Sequence, residues 1–128
     1  MANILVVDDE RDIVALIRFL LEKDGHSVTM AYNGKEALAK LGIDPPAQGK
    51  TSPPDLMILD VMMPELDGFT VGKRIADIES LRSLPIVVLT AKGQMRELFG
   101  SVHNVKSFLD KPFDPKKLRE LVRGLLAG

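Results

Sequence analysis

Three carboxylates carry the chemistry that this sequence offers. Asp8 and Asp9 follow the apolar run Ile4-Leu5-Val6-Val7, and Asp60 follows Leu56-Met57-Ile58-Leu59. Each run is short and reads as a buried strand. In a parallel α/β sheet, ligands bind in the crevice at the carboxyl ends of the strands. Two such runs side by side would therefore bring the three acids to one rim. Crowded carboxylates repel one another unless something positive sits among them. At about 4 Å and an effective dielectric near 20, each like-charge pair costs roughly 4 kcal/mol. The cluster must then either take up a proton or recruit a hard cation, and a cation would let a phosphoryl group share the pocket. Thr90 and Lys111 close two further strand-like runs. Singly, each of these five residues is an ordinary cap, turn or loop residue; on one rim they form a set.

The elements that must position them alternate along the chain. The first strand is expected near Asn3–Val7. A helix follows with the apolar stripe Ile13, Leu16, Ile17, Leu20 and Leu21, stopped by Gly25. Ser27–Ala31 reads as the second strand. Asn33 is placed to cap a short helix, with Glu36 three residues on to reach back; Ala37, Leu38 and Leu41 face inward and Gly42 ends it. The stretch Ile43–Pro54 holds four prolines and reads as a surface loop inserted before the third strand, Leu56–Leu59. A turn at Met62–Gly68 leads to a helix near Phe69–Ile78, in which Asp67 is a cap or turn residue and Gly68 answers a backbone demand. Ile86–Leu89 forms the fourth strand and a helix is expected near Gln94–Ser101. Val105–Leu109 is the fifth strand. Asp114 caps the last helix, with Pro115 at its first position and Leu118, Leu121, Val122 and Leu125 facing inward. The alternation predicts a doubly wound α/β domain, with a parallel sheet and helices on both faces.

Composition narrows the function classes. The 128 residues suffice for one domain with a core. Lys and Arg number 17 against 18 acidic residues, so the formal net charge of −1 gives no reason to expect nucleic-acid or anionic-membrane binding. The absence of cysteine excludes disulfides, thiolate catalysis and Cys-ligated zinc, and fits a reducing compartment. No apolar run approaches the roughly 20 residues of a membrane span. No basic-then-apolar leader precedes the first strand, so a soluble cytoplasmic domain is expected. His26 and His103 stand alone and read as surface residues.

Asp8-Asp9-Glu10, the segment Asp60-Val61-Met62-Met63-Pro64-Glu65-Leu66-Asp67-Gly68, Thr90-Ala91 and Lys111-Pro112-Phe113 together resemble the receiver (response-regulator) domain of two-component signalling, in order and spacing over nearly the whole chain. The resemblance implies a flavodoxin-like fold with strand order 2-1-3-4-5, a single receiver domain over 1–128 and an unusually long loop at 43–54. It implies Asp60 as phosphoacceptor, and Mg²⁺ (Mn²⁺ as the alternative) held by Asp9, Asp60 and the backbone carbonyl of Met62, with Asp8 acting mostly through water. Lys111 would pair with the phosphoryl oxygens, and its bond to Pro112 would be cis. Thr90 and Phe108 would form the switch, and Ala91 would leave room beside it. The implied partners are a histidine kinase or phosphotransfer protein and a downstream target or fused output domain, with dimerisation on phosphorylation. Such a domain is not a turnover enzyme but assists its own phosphorylation and dephosphorylation.

Other classes fit worse. A phosphatase of the haloacid-dehalogenase type needs an acid/base aspartate two residues after the nucleophile, where this chain has Met62. A nucleotide hydrolase needs a phosphate loop, and no G-x-x-x-x-G-K-[ST] motif is present. An adaptor independent of phosphorylation would have no use for the complete acidic set with Thr90 and Lys111. One departure from the family pattern stands out: Asn104 stands where a Gly is expected before the fifth strand, and Asn can adopt a left-handed cap conformation.

Overall fold

The computed structural model describes residues 2–43, 53–61, 67–91 and 98–127. Strands β1 (Asn3–Val7), β2 (Ser27–Ala31), β3 (Leu56–Asp60), β4 (Ile86–Ala91) and β5 (Val105–Lys111) alternate with helices α1 (Arg11–Lys23), α2 (Gly34–Lys40), α3 (Gly68–Ala76) and α4 (Pro115–Ala127). All four strand pairings are parallel and the order is 2-1-3-4-5, as the resemblance implies. The first half of the helix expected near Gln94–Ser101 lies outside the described residues; its described half, Leu98–Ser101, is a 3-10 turn. The loop expected over Ile43–Pro54 lies largely outside them too. Its far flank returns at the amino edge of the sheet, where Asp55 and Asn3 exchange hydrogen bonds of 2.7 and 2.8 Å.

The two faces of the sheet bury separate cores. Ile4, Val6, Leu56, Ile58, Val87, Leu89 and Leu109 meet Val14, Ile17, Leu20 and Leu21 of α1 and Leu118 and Val122 of α4. Leu5, Val7, Met57, Leu59 and Val88 meet α2 through Ala37 and Leu38, and α3 through Val71 and Ile75. Central β3 is buried along its whole length, which is why its sequence is a continuous apolar run without alternation. The stripe assigned to α1 needs one correction. Leu16 is 40% exposed and Val14 takes the inward place; an apolar residue at the boundary of a helical stripe can turn to either side.

The helix boundaries follow local chemistry. Glu36 N donates to Asn33 Oδ1 at 2.8 Å, and the Glu36 carboxylate accepts from Tyr32 N at 3.0 Å, one residue before the cap. Lys116 N donates to Asp114 Oδ1 at 3.0 Å. Gly25 and Gly42 hold positive φ values of 93° and 74° where α1 and α2 stop. Between β4 and β5 the register shifts: Ile86 pairs with Val105 but Val87 pairs with Ser107, so Lys106 is an extra residue in the ladder. No helix among the described residues is long and apolar enough to cross a membrane.

Candidate functional site

Parallel pairing brings the acids together. Val7 lies beside Leu59, so the residues that follow, Asp8 and Asp60, emerge at one rim. One carboxylate oxygen from each of Asp8, Asp9 and Asp60 lies within 4.8 Å of the others. Asp8 and Asp60 are 0% and 3% exposed, whereas Asp9 is exposed. Counting by twos along each strand, Asp8 continues the side of Ile4 and Val6, Asp60 that of Leu56 and Ile58, and Lys111 that of Leu109. All belong to the α1/α4 face.

Lys111 supplies the positive charge. Its Nζ lies 2.7 Å from Asp8 Oδ2, 3.1 Å from Glu10 Oε1 and 3.5 Å from Asp60 Oδ2. Partial burial works against the ammonium, but the hydrogen bond to Asp8 and the charges of Asp60 and Asp8 outweigh it and hold its pKa above the ordinary lysine value. The Lys111–Pro112 bond is cis. Glu10 N donates to Asp8 Oδ1 at 2.9 Å, a local turn that fixes this carboxylate just before α1 begins. Three clustered carboxylates are the hard oxygen donors that Mg²⁺ prefers, so the described residues fit such a cation. Met62, whose carbonyl the resemblance adds to that set, lies outside the described residues, as does the side chain of Ala91.

Thr90 and Phe108 lie on the other side of the sheet. Thr90 follows Val88, and Phe108 packs against the same α2/α3 core. Thr90 is 2% exposed, and its Oγ1 donates to Asp110 Oδ1 at 2.8 Å. Phe108 is half-buried with its ring edge-on to Phe99 at 6.2 Å, and Phe99 is edge-on to Phe69 at 5.6 Å. Asp67 is a cap, as expected: its carboxylate accepts from Thr70 N at 2.8 Å. Gly68 meets its backbone demand through space, since a Cβ there would stand 2.3 Å from the main-chain oxygen of Asp60. The start of α3 is thereby seated directly on the acidic strand end.

Sequence reasoning missed four things. Glu10 was visible in the motif but received no role, although it pairs with Lys111. Asp110 likewise received no role; it is exposed, as a carboxylate near a strand end is expected to be, yet it accepts from the buried Thr90 hydroxyl. Asn104, read from the sequence only for its backbone, is fully buried, and its side-chain amide donates to Leu81 O and Leu84 O, both at 2.8 Å. His26 is also less of a surface residue than expected: it is half-buried, and its Nδ1 accepts from Ala2 N at 3.3 Å.

A family model for the response regulator receiver domain matches residues 4–123. The Bacillus subtilis (strain 168) alkaline phosphatase synthesis transcriptional regulatory protein PhoP is 38% identical over 125 residues, covering 97% of this chain and 48% of PhoP. Response regulator SaeR of Staphylococcus epidermidis is 36% identical over 128 residues, covering 99% of this chain and 51% of SaeR. The chain thus spans about half the length of both proteins. Among solved structures, the chemotaxis response regulator CheY4 of Vibrio cholerae superposes with a TM-score of 0.84 at 29% identity, covering 98% of each chain. With its sheet order, its rim of acids and these matches in agreement, the chain belongs to the response regulator receiver domain family.

Proposed function

We propose that this domain is a phosphorylation-controlled relay in which Asp60 accepts a phosphoryl group from a phosphohistidine of a histidine kinase or phosphotransfer protein. The observation that carries the reading is the convergence of Asp8, Asp9 and Asp60, with Lys111 Nζ reaching both Asp8 and Asp60. One carboxylate oxygen of Asp60 forms the bond to phosphorus as the phosphorus–nitrogen bond of the donor breaks. The donor imidazole keeps that electron pair. A carboxylate is a weak nucleophile, but this transfer needs positioning and charge neutralisation more than proton transfer. Lys111 offers a compact point charge to the arriving oxygens. Asp9, Asp60 and the Met62 carbonyl would hold Mg²⁺ or Mn²⁺, with Asp8 acting through water; when bound, the cation supplies further neutralisation of anionic oxygen.

Thr90 then turns its hydroxyl to a phosphoryl oxygen, and Phe108 moves inward to change the surface offered to a downstream target or fused output domain. Moving such an equilibrium from mostly off to mostly on takes about 5.5 kcal/mol of differential interaction, a reasonable yield for a phosphoryl group held by a metal, a Lys and a hydroxyl. The same reading makes 1–128 one receiver domain with a Pro-rich insertion at 43–54. It places the domain in the cytoplasm, without direct nucleic-acid or membrane binding, dimerising on phosphorylation. It also has the domain assist its own phosphorylation and dephosphorylation without turning over a substrate. Incubation with acetyl phosphate and Mg²⁺ is expected to add one phosphoryl group by intact mass, and Asp60→Asn to abolish it. Labelling that survives the substitution overturns the assignment.

A further inference from the structure

The Thr90 hydroxyl is committed to a partner that the relay does not use. Thr90 and Asp110 are cross-strand neighbours in register, and Thr90 Oγ1 donates to Asp110 Oδ1 at 2.8 Å. A threonine hydroxyl has one hydrogen to give, while an ionised carboxylate and a phosphoryl oxygen are both acceptors. The two cannot take that hydrogen together. We infer that Asp110 is a positioning residue of the switch, holding the Thr90 hydroxyl on β5 and setting how far the unphosphorylated domain stands from its active arrangement. The inference rests on the reading of Asp60 as phosphoacceptor and of Thr90 as the hydroxyl that follows the phosphoryl group.

Placement and environment both support it. Asp110 lies two residues beyond Phe108 and so projects to the same side of β5, beside the aromatic that the switch moves. Thr90 is almost wholly buried, so water competes weakly for its hydroxyl even though Asp110 is exposed, and a bond to a charged acceptor is stronger than one between neutral groups. The next residue, Lys111, projects to the opposite side and meets Asp8 and Asp60. β5 therefore ends in two consecutive charges with opposed effects: Lys111 favours the arriving phosphoryl group, and Asp110 retains the hydroxyl that must follow it. Thr90 and Asp110 each have further interactions.

The test uses beryllium fluoride with Mg²⁺ as a non-covalent phosphoryl mimic, its binding followed through the fluorine NMR signal of the bound fluoride. Asp110→Ala is expected to lower the half-saturating concentration by about tenfold. Asp110→Asn, which keeps the shape and removes the charge, lowers it less and serves if the alanine variant does not fold. In a Thr90→Ala background, where no hydroxyl remains to be held, Asp110→Ala is expected to change nothing. An Asp110→Ala variant that binds no more tightly, or whose gain persists without Thr90, overturns the inference. Acetyl phosphate labelling of the wild type separates the two readings. A labelled wild type with an inert Asp110→Ala variant sinks the latch alone, whereas an unlabelled wild type removes the relay and the latch with it.

Discussion

Lys111 sits among three acids, and that position sets two opposite expectations for its removal. Its ammonium already occupies part of the field that a cation at Asp8, Asp9 and Asp60 would enter. In Lys111→Ala, calorimetry is expected to show Mg²⁺ binding tightened by about three- to tenfold, because the acids then repel one another with less relief. Acetyl phosphate labelling at saturating Mg²⁺ is expected to slow by at least about tenfold, because the incoming oxygens lose their charge partner. Asn104 illustrates the other kind of residue, one that matters only to the fold. Its buried amide donates to two carbonyls of the turn before β4. Asn104→Ala is expected to cost about 2 kcal/mol in urea unfolding. Asn104→Asp is expected to cost more, because it sets acceptors against acceptors.

At the scale of elements, α4 is tied to the turn after α1 by the pair Asp24–Arg119, with Arg119 Nε donating to Asp24 Oδ2 at 2.9 Å. The Arg119 hydrogen bond holds the Asp24 carboxyl below its ordinary pKa against the opposing effect of burial, with the charges of Arg119, Arg123 and His26 adding to it. A depressed carboxylate contributes stability above its unfolded pKa and loses it as pH falls through the folded one. Arg119→Ala is therefore expected to be less stable than the wild type at neutral pH, with the difference closing as the pH falls below the usual carboxylate range. Parallel denaturant titrations across that range check it. The elements themselves were largely legible in the sequence. Apolar runs marked the central strands, and Asn33, Asp67 and Asp114 marked helix starts, because both signals act through neighbouring residues. Leu16, Asn104 and Asp110 were not legible. Whether a polar or borderline residue turns inward depends on what lies across from it, and that is fixed by strands distant in sequence.

For the whole molecule, the acids of the rim come from β1 and β3 and meet only when the sheet is assembled. A cation that binds them binds the folded state and stabilises it by mass action, by about 2.7 kcal/mol at a hundred times its dissociation constant. Thermal unfolding is expected to rise with Mg²⁺, to fall back on chelation, and to respond far less in Asp9→Asn.

The extra residue at Lys106 has a consequence for everything downstream of it on β5. Side chains alternate along a strand, so one surplus residue changes the beat by half a cycle. Were the same sequence paired without that bulge, Thr90 would stand opposite Leu109, Phe108 and Asp110 would turn together toward the acidic rim, and Lys111 would turn toward the α2/α3 core. Deleting Lys106 outright leaves Val87 opposite Ser107 and every later partner in place, whereas one residue added between Phe108 and Asp110 reverses both charges. With the sequence unchanged, the bulge near the start of β5 therefore decides which side each of the two closing charges takes.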